Sequence, residues 1–108
     1  MWIVGENGRA YNMDAMSTLR VKSYNNYHKH NNYFVATSEV AVVGDSIFNE
    51  ETYVLYKTIH TSDPYMTSDE AYEVAENVYP PADMLSDAYR AMNRILNAYN
   101  EGKKVIKV

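Results

Sequence analysis

Residues 81–102 read PADMLSDAYRAMNRILNAYNEG, and this stretch carries the clearest periodic pattern in the chain. Apolar side chains recur every three or four residues from Leu85 onward, which predicts an amphipathic helix with one buried face. That face comprises Leu85, Ala88, Tyr89, Met92, Ile95, Leu96 and Tyr99. Pro81 is placed where a helix begins, and Gly102 is placed where a left-handed residue ends one.

A second helix is predicted immediately upstream. Thr67-Ser68-Asp69-Glu70 has the form of a capping box, in which the Thr67 hydroxyl accepts a hydrogen bond from a backbone N–H group. The apolar positions that follow are Ala71, Val74, Ala75 and Val78, and the acidic ones opposite them are Asp69, Glu73 and Glu76. Pro80-Pro81 must interrupt the helix, because proline lacks the backbone donor and restricts the residue before it.

The rest of the chain has the content of β-strands. Strands are predicted at Trp2–Val4, near Arg9–Tyr11, at Met16–Tyr24, within Tyr33–Val43, at Thr52–Ile59 and at Lys103–Val108. Asn7-Gly8 predicts the first hairpin turn. The polar stretch 25–32 is interpreted as a loop at a hairpin tip, and Gly44-Asp45 as a turn.

This order of elements predicts one α+β domain over residues 1–108. The expected architecture is an antiparallel β-sheet of four to six strands, followed by two α-helices and a short C-terminal strand at the sheet edge. A chain of 108 residues is long enough to bury one core without covalent cross-links.

Composition limits the cellular compartments and the classes of function that fit this chain. The chain has no cysteine, no basic and apolar leader at its N-terminus, and no run of about 18 apolar residues. These features predict a soluble protein of the cytoplasm, without a membrane partner. The net charge of −4 is unevenly spread, because residues 45–87 contain ten acidic residues and one basic residue.

No stretch predicts catalysis or a cofactor. Ser46, His60 and Asp63 contain the residue types of a triad, but they lie in no nucleophile motif. His28 and His30 offer two metal ligands where a stable zinc site usually has four. The sequence therefore predicts a protein that is not an enzyme, with no catalytic residue, no metal and no cofactor.

The acidic tract has two interpretations. It can be a solvated surface in which Asp69 and Glu70 complement a helix N-terminus and Asp87 pairs with Arg90. It can also be a negative ridge that enters a basic groove of a partner in place of nucleic-acid phosphate. The partner-binding residues predicted by the second interpretation are Asp69, Tyr72, Glu73, Glu76, Tyr79, Asp83 and Asp87.

The chain opens with Met1-Trp2-Ile3-Val4, followed by Asn7-Gly8 and Tyr11–Asp14, and it closes on Ala98–Ile106. In these stretches both ends of the chain resemble small proteins encoded by phages, prophages and plasmids of low-GC Gram-positive bacteria. Pro80-Pro81 and the polar loop depart from the simplest form of that pattern. Such proteins include anti-CRISPR inhibitors, so the resemblance implies an inhibitor that binds a basic, nucleic-acid-binding host protein such as a Cas nuclease.

Two alternatives remain open. The chain can be a structural or regulatory module that forms a homodimer through the edge at Val105–Val108 or through a tyrosine-rich surface. It can also bind nucleic acid weakly through Arg90, Arg94, Lys103 and Lys104.

Overall fold

The computed structural model describes residues 1–64 and 67–108, and these residues form ten secondary-structure elements. In chain order they are β1 (Trp2–Val4), β2 (Ala10–Asn12), a 3-10 turn (Met13–Ala15), β3 (Met16–His30), β4 (Tyr33–Ser46), β5 (Thr52–Thr61), α1 (Ser68–Glu73), a π-helical turn (Val74–Val78), α2 (Ala82–Asn100) and β6 (Val105–Lys107). The α+β class is confirmed.

The strands form two sheets of three strands each, so the prediction of one antiparallel sheet was wrong. The larger sheet, β3-β4-β5, is antiparallel, whereas in the smaller one, β2-β1-β6, strand β6 runs parallel to β1. The 3-10 turn lies between β2 of the smaller sheet and β3 of the larger one, and the Asn12 side chain caps it by accepting from the Asp14 N–H at 3.0 Å. The C-terminal strand does add to a sheet edge, as predicted.

The long hairpin of β3 and β4 differs from the prediction at both ends. Residues 25–30 are strand rather than loop, and only Asn31 and Asn32 make the turn, with Asn31 at a positive φ of 57°. The sequence of this segment shows no alternation of apolar and polar residues, because the side of the strand that faces inward is polar as well. On that side the hydroxyl of Ser38, on β4, donates to Asn25 Oδ1 at 2.7 Å. Inter-strand pairing, rather than apolar alternation, holds this part of β3 extended.

The predicted turn at Gly44-Asp45 was also wrong, since both residues belong to β4. The chain turns later, where the Ser46 hydroxyl accepts from the Phe48 N–H and Asn49 Oδ1 accepts from the Glu51 N–H. Gly and Asp are common turn residues, but here each fits a strand for a local reason. Gly44 leaves room for the side chain of Met16 on the neighbouring strand.

The helical part is one long course that bends at Tyr79–Pro81, and because the backbone is extended at Tyr79 and Pro81 the predicted interruption of the helix at Pro80-Pro81 is confirmed. Its N-terminus is capped by Thr67 and its C-terminal end is followed by Gly102 at a φ of 74°, both as predicted. The second turn of the course is π-helical, with the Tyr79 N–H bonded to the Val74 carbonyl. This wider winding rotates Val78 outward, where it is 60% exposed rather than buried.

The core lies between the helical course and the two sheets. Small residues dominate the buried side of the helices: Ala71, Ala75, Ala88, Ala91 and Ala98 are at most 6% exposed. Of these, Ala88 and Ala91 form one cluster with Ile95 of α2, Val40 and Val42 of β4, Leu55 of β5 and Ile3 of β1. Two residues of the predicted buried face, Tyr89 and Tyr99, are instead half exposed, because α2 turns its alanines toward the sheet.

We expect substitution of Ala88 by leucine to lower the free energy of unfolding by about 1–3 kcal/mol, because Ala88 is fully buried in the core cluster and three more carbons would overpack it. The matched control is Ala82→Leu, at an exposed position in the first turn of α2, which should change stability by less than about 0.5 kcal/mol. Urea unfolding followed by circular dichroism measures both. Equal effects would show that α2 does not pack closely on the sheet.

Asp45 joins all three strands of the larger sheet. Its carboxylate pairs with Arg20 of β3 at 2.9 Å, accepts from Thr52 of β5 at 3.1 Å, and accepts from the Thr18 hydroxyl. Hydrogen bonds from Arg20 and then Thr18 are the largest causes that hold the pKa of Asp45 well below its usual range. The charged form is therefore the one that the folded sheet favours.

A carboxyl group whose pKa is depressed by folding stabilises the protein above its unfolded pKa of about 4, and this contribution is lost as the pH falls. We expect Asp45→Asn to be less stable than the parent at pH 7, with a difference that shrinks between about pH 4 and pH 2. Urea midpoints across that range measure it. Glu50→Gln, in the exposed β4–β5 turn, is the control, and a constant Asp45→Asn difference would contradict the assignment.

Candidate functional site

The predicted site residues lie along the bent helical course, and the buried side of that course decides which of them reach solvent. Thr67 begins the helix by accepting from the Glu70 backbone N–H at 3.2 Å. Ala71 and Ala75 are buried where α1 and the π-helical turn pack on β3 and β4. The opposite side of the course is therefore open to water.

Four of the predicted carboxylates are exposed along the helical course. Asp69, Glu73 and Glu76 are spaced at i, i+4 and i+7, and Asp83 lies in the first turn of α2 after the bend. We call these four residues the acidic face. Within residues 1–64 and 67–108 none of them forms an ion pair, whereas five acidic residues elsewhere do.

Two residues of the acidic face, Glu73 and Glu76, have no compensation from a helix N-terminus. Like charges three or four residues apart on a helix repel by a few tenths of a kcal/mol per pair, and Glu73 and Glu76 lie too far along the course to gain from its N-terminus. Asp69 and Asp83 have compensating positions in the first turns of α1 and α2. The negative charge of Glu73 and Glu76 is thus kept at positions where it adds nothing to the stability of the helix.

The two predicted tyrosines attach the helical course to the larger sheet. The Tyr72 ring meets Tyr27 of β3 edge to face at 5.6 Å, and the Tyr79 ring meets His60 of β5 in the same way at 5.6 Å. Burial raises the pKa of Tyr79, and a hydrogen bond with Ser62 partly offsets that effect. Tyr72 keeps half of its surface exposed beside the acidic face, whereas Tyr79 is mostly covered.

Asp87 lies apart from the acidic face. Its carboxylate pairs with Arg90 one turn further along α2 at 3.1 Å, and both line a groove with Arg94, Glu6 and Val108. This is the pairing that the solvated-surface interpretation predicts. Of the five predicted carboxylates, Asp87 therefore lies in a mixed-charge groove. The other four, Asp69, Glu73, Glu76 and Asp83, are exposed along the helical course without ion pairs among the described residues.

The four basic residues of the nucleic-acid alternative do not share a surface groove. Arg90 and Arg94 line the mixed-charge groove, and Arg94 donates to the Lys107 carbonyl at 3.2 Å. Lys103 and Lys104 line another groove, together with Trp2 and Tyr99. The sequence analysis assigned no role to Trp2. The alternation of side chains along a strand does indicate its position, because Trp2 must face outward if Ile3 faces the core.

The residues that resemble a catalytic set are separated. Ser46 is at the end of β4 and pairs with Met16, whereas His60 pairs with Ser38, eight residues away along β4. At the rise of a β-strand this separation is about 26 Å. Among the described residues, no three His, Cys, Asp or Glu side chains are grouped so that they could hold a metal ion.

Comparison with known proteins adds no assignment, because no protein-family model, curated protein or solved structure matches this chain. In the described residues, no helix is long and apolar enough to cross a membrane. Functional interpretation therefore rests on the chain's own residues.

We expect Tyr72 and Tyr27 to be energetically coupled. A double-mutant cycle with alanine at each position should give a coupling free energy of about 0.5–1.5 kcal/mol, as is usual for edge-to-face rings. Urea unfolding measures the four proteins. The control cycle combines Tyr27→Ala with Tyr99→Ala, because Tyr99 is similarly exposed but lies at the C-terminal end of α2. A coupling near zero for the first cycle would show that the rings do not hold α1.

Proposed function

We propose that this chain is a non-enzymatic binding protein whose acidic face docks on a basic surface of a nucleic-acid-binding protein. One observation carries the proposal: the acidic face keeps four exposed carboxylates without ion pairs in the described part of the chain. A solvated helix usually intersperses lysine or arginine among its acids. Here no Lys or Arg occurs between Lys57 and Arg90.

The physical basis of docking is charge complementarity. A partner surface that holds nucleic acid presents a row of lysine and arginine side chains, and a row of carboxylates can occupy the same positions as phosphates. Such attraction increases the rate of encounter and weakens with salt, because the Debye length is about 8 Å at physiological ionic strength. Tyr72 lies next to this row and offers a half-exposed aromatic ring for direct contact.

The partner that we propose is an RNA-guided Cas nuclease. The resemblance to small proteins of phages, prophages and plasmids supports an inhibitor that is encoded by a mobile genetic element and acts in the host cytoplasm. The groove of such a nuclease that holds the guide and target strands is positively charged. Occupation of that groove requires no catalytic residue and no cofactor in the inhibitor.

A self-associating module is the second candidate. Strand β6 lies at the edge of the smaller sheet, and Val105 on it is 56% exposed. An unpaired edge can accept the same strand of a second copy, although Lys107 disfavours such pairing. Sedimentation that shows a monomer at high protein concentration would remove this candidate.

We expect charge reversal of Glu73 and Glu76 to lysine to weaken binding to the partner by about tenfold or more and to reduce its salt dependence. The matched control reverses Glu50 and Glu51, two exposed acids in the β4–β5 turn, and changes the net charge by the same amount. Binding to purified RNA-guided Cas nucleases, and inhibition of their DNA cleavage, are measured at two salt concentrations.

The outcomes separate three cases. Loss of binding in the first variant alone supports the acidic face as the docking surface. Equal loss in both variants would show that only net charge matters, and no loss in either would show that the acidic face is a solvated surface. If no nuclease binds the parent protein, a Cas nuclease is not the partner.

A further inference from the structure

A groove with a volume of about 460 Å³ lies beside the C-terminal end of α2. It is lined by Met1, Trp2, Tyr99, Gly102, Lys103 and Lys104. Trp2 and Tyr99 are each 49% exposed, and both lysines are exposed. We call this site the Trp2 groove.

Local structure places these side chains together. In β1, Ile3 is fully buried, so the alternation of the strand directs Trp2 to the outer face of the smaller sheet. Gly102, at a φ of 74°, turns the chain back after α2. The Trp2 N–H then bonds to the Lys104 carbonyl at 2.8 Å, which fixes the lysine segment against β1.

The charge of the Trp2 groove is positive. Lys103 is in an ion pair with Glu101 at 3.5 Å, but both partners are more than half exposed, so this pair is weak. Lys104 forms no ion pair within residues 1–64 and 67–108. Residues 88–108 as a whole contain five basic residues and one acidic residue.

We infer that the Trp2 groove binds single-stranded nucleic acid. The exposed rings of Trp2 and Tyr99 offer stacking surfaces that accept any base, and the ammonium groups of Lys103 and Lys104 complement the phosphates between bases. A duplex uses this combination poorly, because its bases are already stacked on one another. An acidic peptide would pair with the lysines but would leave the two rings without a function.

This inference is independent of the proposed function. The acidic face ends at the first turn of α2, and the Trp2 groove lies at the other end of that helix. The 19 residues of α2 span about 28 Å, so a partner at one end leaves the other accessible. A protein with both sites could contact a nucleic-acid-binding protein and an adjacent free strand at the same time.

The sequence offers a direct probe, because Trp2 is its single tryptophan. The parent protein is titrated with a 20-nucleotide oligo(dT), a 20-nucleotide oligo(rA) and a duplex of the same length, at 20 mM and 200 mM salt. We expect saturable quenching of the tryptophan fluorescence by the single strands, with an affinity that falls as salt rises. The duplex should quench weakly.

Variants test the roles of the side chains by anisotropy of a labelled oligo(dT). We expect Lys103→Gln with Lys104→Gln to weaken binding by about tenfold and to lower the salt slope by about 1.4, which corresponds to two phosphate contacts. Trp2→Ala should weaken binding with the salt slope unchanged. The matched control is Arg90→Gln with Arg94→Gln, which removes the same charge from the separate mixed-charge groove and should retain binding.

Three results would overturn the inference. The first is an absence of quenching by single strands at low salt. The second is an equal loss of affinity in the lysine and arginine variants, which would indicate only general electrostatic attraction. The third is a change of tryptophan fluorescence with protein concentration in the absence of oligonucleotide, which would make the Trp2 groove an interface between copies of the chain.

Discussion

The close packing of the helical course on β4 is the constraint on which the rest of this structure depends. The contact is made by alanines, with Ala88 and Ala91 over Val40 and Val42. Small side chains let a helix approach a sheet closely, so that dispersion contacts form without large residues. Gly5 has a similar role beside β5, where a Cβ atom would lie 3.2 Å from the Leu55 carbonyl oxygen.

This packing determines which side chains remain outside. Because the alanines of α1 and of the π-helical turn face the sheet, the acidic face must point to water. Tyrosines at the margins of the contact reach across to the strands, as Tyr72 does to Tyr27 and Tyr79 does to His60. The core itself has few large residues, so such ring contacts at the margins supply part of the packing that holds the helical course.

The charges of the molecule are arranged by the same geometry. The negative charge is concentrated before and at the bend, and positive charge follows along α2 and the C-terminal residues. The molecule extends over 51 Å in its longest dimension, which is several Debye lengths at physiological salt. The acidic face and the Trp2 groove lie toward opposite ends of α2, so their charges are largely screened from each other at physiological salt.

The sequence by itself determined the helices, their ends and most strands. Thr67, Pro81 and Gly102 act through bonds to near neighbours or through their own backbone preferences, and apolar periodicity in α2 reflects one local surface. The acidic tract was also evident, because charge is a property of each residue. What the sequence suggested wrongly was Gly44-Asp45 as a turn, residues 25–30 as part of a loop, and a single antiparallel sheet.

Only the tertiary structure decided how these elements are joined and which residues share a surface. Asp45 is in a strand because Arg20 and Thr52, from two other strands, bond its carboxylate. Strand β6 lies parallel to β1 because the chain returns through α2 before it pairs, and the sequence predicted only that this strand adds to a sheet edge. Trp2 meets Lys104 across a sequence separation of about a hundred residues. Such contacts depend on long-range packing, which no local pattern of residues encodes.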